Sequence, residues 1–106
     1  MMDAGELLLK AHELGAPFIT DGALVIPADL PPTMKADAVR LRAILAPLLS
    51  LTVAQLCGGM TDDEREAFDE RAAILEADAG YPRELAERVA VWWVRTPSDE
   101  RERRAA

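Results

Sequence analysis

The sequence predicts an α+β fold, mostly α: a helix–β-hairpin–helix unit followed by a C-terminal part of two or three helices. Three observations carry this. Asp21-Gly22 stands between two short, largely apolar segments, Pro17–Thr20 and Ala23–Ile26. That is the strongest short-range hairpin signal, because a type I′ turn needs positive φ at both central positions. The runs flanking the hairpin, and both runs after Gly59, repeat apolar residues at spacings of three and four, the period of a helix with one buried face. Finally, only 5% of residues are aromatic within a 50% hydrophobic total, so Leu, Ile, Val and Ala must build the core.

The first helix runs from Asp3 to Leu14, with Ala4, Leu7, Leu8, Ala11 and Leu14 on one face and Gly15 as its left-handed terminator. Pro17 then holds its predecessor extended and starts the first strand. Pro27, Pro31 and Pro32 stiffen the linker, and proline suits the first turn of the following helix. In that helix Met34, Ala38, Leu41, Leu45 and Leu48 form the main core stripe, widened by Ile44 and Leu49, and Pro47 is expected to kink or end it. Thr52-Val-Ala-Gln55 reads as a capping box for one further short helix.

Gly58-Gly59 marks the expected boundary between a docking-like subdomain, residues 1–57, and a helical hairpin, residues 60–96, with a flexible charged tail at 97–106. Thr61-Asp-Asp-Glu64 is a second capping box, whose acids also complement the positive end of a helix dipole. Phe68, Ala72, Leu75 and Ala79 form a narrow stripe before Gly80. Pro82 opens the last helix, with Leu85, Ala86, Val89, Trp92 and Trp93 on one side and Val91 and Val94 pointing away, until Thr96-Pro97 stops it.

The 106 residues carry a net charge of −7, unevenly spread. Residues 1–57 hold six acids against four bases, and residues 58–106 thirteen against eight. Phosphate neutralisation by Lys and Arg supplies most nucleic-acid affinity, so direct DNA or RNA binding is not expected, although Arg101, Arg103 and Arg104 cluster in the tail. No apolar run approaches the roughly 20 residues that span a bilayer, and Met1–Glu6 lacks a basic signal-peptide start. A single cysteine excludes an intrachain disulfide. These features lead us to expect a cytoplasmic chain without membrane attachment.

No residue pattern identifies a reaction, a metal or a cofactor, so no catalytic residue is assigned. His12, the only histidine, reads as a surface or half-buried side chain at the rim of the first helix's apolar face. Cys57 precedes a helix end, the wrong end of the dipole for an activated thiol, and reads as a buried small hydrophobe. Eight carboxylates lie among residues 62–78 against two arginines. They are either a solvated helix face or a phosphate mimic, whose key residues would be Asp69, Glu70 and Glu76. Trp92-Trp93 is core on one reading; on the other, part of the cluster meets a partner or a second copy of the chain.

Leu7-Leu-Leu-Lys-Ala-His-Glu-Leu-Gly15, the hairpin Phe18–Ile26 and the run from Pro32 to Leu49 together resemble the N-terminal docking domain of the tubulysin synthetase type (TubC-like), over about residues 3–51. In that family the hairpin captures a short peptide by strand addition. The resemblance implies a non-catalytic docking or adaptor module whose partner-binding residues are Phe18, Ile19, Thr20, Ala23, Leu24, Val25 and Ile26, with Trp92 and Trp93 from the residue reading. Glu70–Glu76 and Tyr81–Ala90 resemble helical segments of short phage and mobile-element proteins. This second likeness implies an alternative, an acidic inhibitor of anti-CRISPR type that blocks a nucleic-acid site on a host complex.

Overall fold

Asp3 begins the first helix as the residue type requires: its carboxylate accepts the Glu6 N–H at 2.8 Å, satisfying one of the helix's orphan donors. The computed structural model describes residues 1–96. The expected flexible tail, with Pro97 and Arg101, Arg103 and Arg104, lies outside the described residues. Helix α1 (Ala4–Glu13) buries Ala4, Gly5, Leu7, Leu8 and Ala11. Gly15 ends it at φ 74°. Leu14, assigned to the buried face by spacing, is exposed instead, because the helix has already ended at Glu13.

The hairpin follows as β1 (Ile19–Thr20) and β2 (Leu24–Val25), antiparallel with Ile19 opposite Val25 and Thr20 opposite Leu24. Its turn differs from the expected type I′. Gly22 alone has positive φ, at 73°, and Asp21 keeps negative φ while its N–H donates to the Ala23 carbonyl at 2.9 Å. The connection is therefore three residues long, and each strand is two residues rather than four.

The Met34-to-Leu48 stripe is buried at all five positions, yet it spans two helices, α2 (Pro32–Arg40) and α3 (Arg42–Ser50). The break lies at Leu41, with φ −97° and ψ 9°. Pro47 sits inside α3, which continues past it to Ser50, so the expected kink at Pro47 gives way to an interruption one turn and a half upstream. Both capping boxes form as read: Thr52 with Gln55 opens α4 (Val53–Leu56), and Thr61 with Glu64 opens α5 (Asp62–Ala77).

Helix α6 (Arg83–Arg95) closes the fold. It packs antiparallel to α5, as the Arg83–Glu76 pair near the loop and the Arg71–Trp93 contact further along both require. Its other sides meet α1, α3 and α4. Val91, expected to point away from the core, is only 2% exposed for that reason. Buried side chains from residues 1–57 and from α5 and α6 form one cluster. Two arginines fasten α6 to the first half of the chain. Arg88 donates to the carbonyls of Leu48 at 2.8 Å and Leu51 at 2.6 Å, and Arg95 to those of Leu56 at 3.2 Å and Gly58 at 2.7 Å. These carbonyls lie at the C-terminal ends of α3 and α4, where helix carbonyls lack partners and the dipole favours a cation.

Candidate functional site

The hairpin is only partly enclosed. Along it Phe18 is buried and Thr20, Leu24 and Ile26 are half-buried, whereas Ile19 and Val25 are 56% and 40% exposed. One face thus packs inward, chiefly on α3. The other presents an apolar cross-strand pair to solvent. Ala23 at the turn is exposed as well.

Backbone geometry adds a second property. The Asp21 N–H bond to Ala23 makes that a hydrogen-bonded pair, so the alternation of an antiparallel ladder turns the N–H and C=O of Thr20 and Leu24 away from each other, toward the two edges. Among the described residues no third strand covers either edge. The segments Pro17–Thr20 and Ala23–Ile26 carry no charged side chain.

Beside the start of β1 lies a cleft of about 220 Å³. Leu8 and His12 of α1, Pro17 and Phe18, Leu49 of α3, and Pro82, Glu84, Leu85 and Arg88 line it. Arg88 is turned inward onto the Leu48 and Leu51 carbonyls with its side chain 13% exposed, while Glu84, its partner at 3.1 Å, stays 77% exposed. The cleft joins both halves of the chain, so no local pattern announced it.

The two tryptophans separate. Trp92 is 7% exposed and lies against α1, where a Cβ on Gly5 would come within 2.8 Å of two of its ring carbons. It is a core residue and offers no surface to a partner, a correction to its place among the expected binding residues. Trp93 is half-buried beneath the Arg71 guanidinium, 4.0 Å from the ring centroid, and lines a shallow groove with Ala67, Glu70 and Ile74. The hairpin and Trp93 thus belong to different sites.

Asp69, Glu70 and Glu76 are all exposed on α5. Asp69 lies 4.0 Å from Arg65 and Glu76 3.7 Å from Arg83. Among the described residues Asp62, Asp63, Glu66 and Glu70 form no ion pair. Hydrogen bonds from the Thr61 backbone and hydroxyl hold the Glu64 carboxyl below its ordinary range.

His12 is exposed, edge-on to Tyr81 with ring centroids 6.1 Å apart. Burial pushes the Tyr81 hydroxyl up, assisted by Glu13. Cys57 is buried, and burial likewise raises its thiol, the opposite of what activates a nucleophile. Among the described residues no three His, Cys, Asp or Glu side chains converge as a metal site, and no helix is long and apolar enough to cross a membrane. Sequence reading missed Asp37, whose buried carboxylate accepts the Met2 N–H at 3.1 Å and pairs with Arg40 at 3.3 Å; the amide of Met2, then Arg40, hold it below the ordinary aspartate range. No protein-family model, curated protein or solved structure matches the chain.

Proposed function

We propose that this chain is a non-catalytic docking or adaptor module of the cytoplasm, which takes up a protein partner by adding one of its extended segments to the hairpin. The observation that carries the reading is the pairing of an exposed apolar face, Ile19 with Val25, with two strand edges in an uncharged stretch that no third strand covers among the described residues. Uncovered edges are normally blunted by charge, proline or a covering element, because they recruit other strands. Main-chain bonds supply affinity in such an arrangement, and alternate side chains supply choice of partner. The resemblance of residues 3–51 to TubC-like docking domains points the same way. A second copy of the chain is the other occupant this surface could take.

The test blocks both edges at once. Thr20→Pro with Leu24→Pro removes the two outward N–H donors while leaving the inward ladder bonds, and edge positions tolerate proline. The immobilised wild-type chain should retain at least one host protein that the double variant loses, with the helical circular dichroism signal unchanged. Identical retention by both would sink the reading.

A second reading has its own observation. The exposed carboxylates of α5, Asp69, Glu70 and Glu76 among them, outnumber the arginines beside them and suit an acidic inhibitor covering a basic nucleic-acid site on a host complex. Changing Asp69, Glu70 and Glu76 together to lysine should abolish binding to such a complex. Undiminished binding removes this reading.

A further inference from the structure

We infer that the docked segment is an extended basic peptide that adds to the β1 edge, not the β2 edge, and seats one large apolar side chain in the cleft beside Phe18. This rests on the docking reading above and specifies its occupant.

The two edges are not equivalent. Residues directly opposite one another in neighbouring strands send their side chains to the same face of the sheet. Phe18 faces inward and lines the cleft, so a residue laid opposite Phe18 on the β1 edge also points inward, at the opening between Phe18, Leu49 and Leu85. At about 220 Å³ the space accommodates one large aliphatic or aromatic side chain. No residue of β2 lines that cleft, and a strand on the β2 edge would find no such receptacle there. Burial of one apolar side chain contributes what two-residue strands cannot supply through main-chain bonds alone.

Charge selects the rest of the segment. Between Pro17 and Thr20 the β1 edge is uncharged, but its ends are acidic: Asp21 stands exposed at the hairpin tip, and Glu84 lies 77% exposed at the cleft rim. The one arginine at the rim, Arg88, is withdrawn onto the Leu48 and Leu51 carbonyls and pairs with Glu84 at 3.1 Å, so it offers no free cation while most of the Glu84 side chain stays in solvent. With a whole-chain net charge of −7, approach of a basic segment is favoured over that of an acidic one.

A displayed library of random twelve-residue peptides, selected on the full chain, provides the probe. Enriched peptides should carry Lys or Arg on both sides of a single large apolar residue. In the complex of the wild-type chain with the best peptide, the Thr20 amide should gain at least tenfold protection from hydrogen exchange, with the Leu24 amide unchanged. Leu85→Trp, which fills the cleft, should weaken the peptide at least tenfold, and replacing the peptide's apolar residue by serine should do the same without touching the protein's fold. Protection at Leu24 with none at Thr20 overturns the edge assignment and leaves docking intact. Enrichment of acidic peptides, or indifference to the serine change, overturns the occupant. Protection at neither amide, or no enrichment at all, overturns both the inference and the docking reading beneath it.

Discussion

Helix α6 and the hairpin are the two extremes of this molecule. Over its second half α6 is enclosed by α1, α3, α4 and α5, with Ala90, Val91 and Trp92 all buried. The hairpin has two-residue strands, one packed face and a solvent-facing apolar pair. The contrast separates two roles: the most enclosed stretch of α6 carries packing, whereas the hairpin, anchored in the core by Phe18, keeps one apolar face in solvent.

The largest effect should come from Trp92→Ala, which leaves a ring-sized void among α6, α1 and their neighbours. A loss of about 3–5 kcal/mol in urea unfolding is expected. A loss below about 1 kcal/mol would show that α6 is not the centre of the fold. Next comes Arg88→Met, which keeps the apolar stem but deletes charged hydrogen bonds to two helix-end carbonyls. Its cost should be about 2 kcal/mol. Glu84→Gln, altering only the exposed partner of the same arginine, should cost under about 0.5 kcal/mol.

These central features differ in how far the sequence announced them. Both capping boxes, the Asp3 cap and the Gly15 terminator depend on residues within three or four positions, and their pattern is visible in the chain itself. The five-residue core stripe was legible too, because helical periodicity survives the single irregular residue Leu41. What could not be read depends on distant partners. Val91 is buried because α6 has neighbours on several sides, and Arg88 and Arg95 find their carbonyls 37 to 40 residues away. The turn failed for a local reason: Asp-Gly permits a type I′ turn, but a three-residue connection needs positive φ at Gly22 alone. At the site, the apolar hairpin was visible and the cleft beside it was not, since four separated segments line it.

Gly5→Ala gives a smaller effect with a decisive sign. Gly5 is the second residue of α1, so the change should gain less than the roughly 1 kcal/mol that propensity gives at an interior helix position. Here the new Cβ would stand 2.8 Å from two ring carbons of Trp92, and overpacking of this kind costs about 1–3 kcal/mol. Net destabilisation is expected, turning to stabilisation when Trp92→Ala is made first. A double-mutant cycle reads this reversal directly. Additive effects would mean that α1 and α6 do not meet through these residues.

Acid should probe the N-terminal side of the same core. Asp37 is held below its ordinary pKa of 3.8 by the Met2 amide first and Arg40 after it. A lowered folded-state value means that the carboxylate's contribution is fully present above the unfolded value and is lost as pH falls through the folded one. The stability gap between the native chain and Asp37→Asn should therefore be constant near neutrality and close below about pH 4. A gap that persists at lower pH would assign the effect to packing rather than charge.

The smallest change in stability should come from the hairpin. Ile19→Thr with Val25→Thr replaces the exposed cross-strand pair by residues of equal strand preference, and solvent-facing positions of this kind usually shift stability by no more than about 0.5 kcal/mol. If recognition resides in the hairpin, this near-silent pair should weaken partner retention far more than Trp92→Ala, compared at a temperature where both variants stay folded, although the structural cost of Trp92→Ala is several times larger. That inversion is the sharpest form of the contrast between α6 and the hairpin. Retention that instead followed stability, variant by variant, would mean that the partner recognises the folded core as a whole, and the exposed pair would need another explanation.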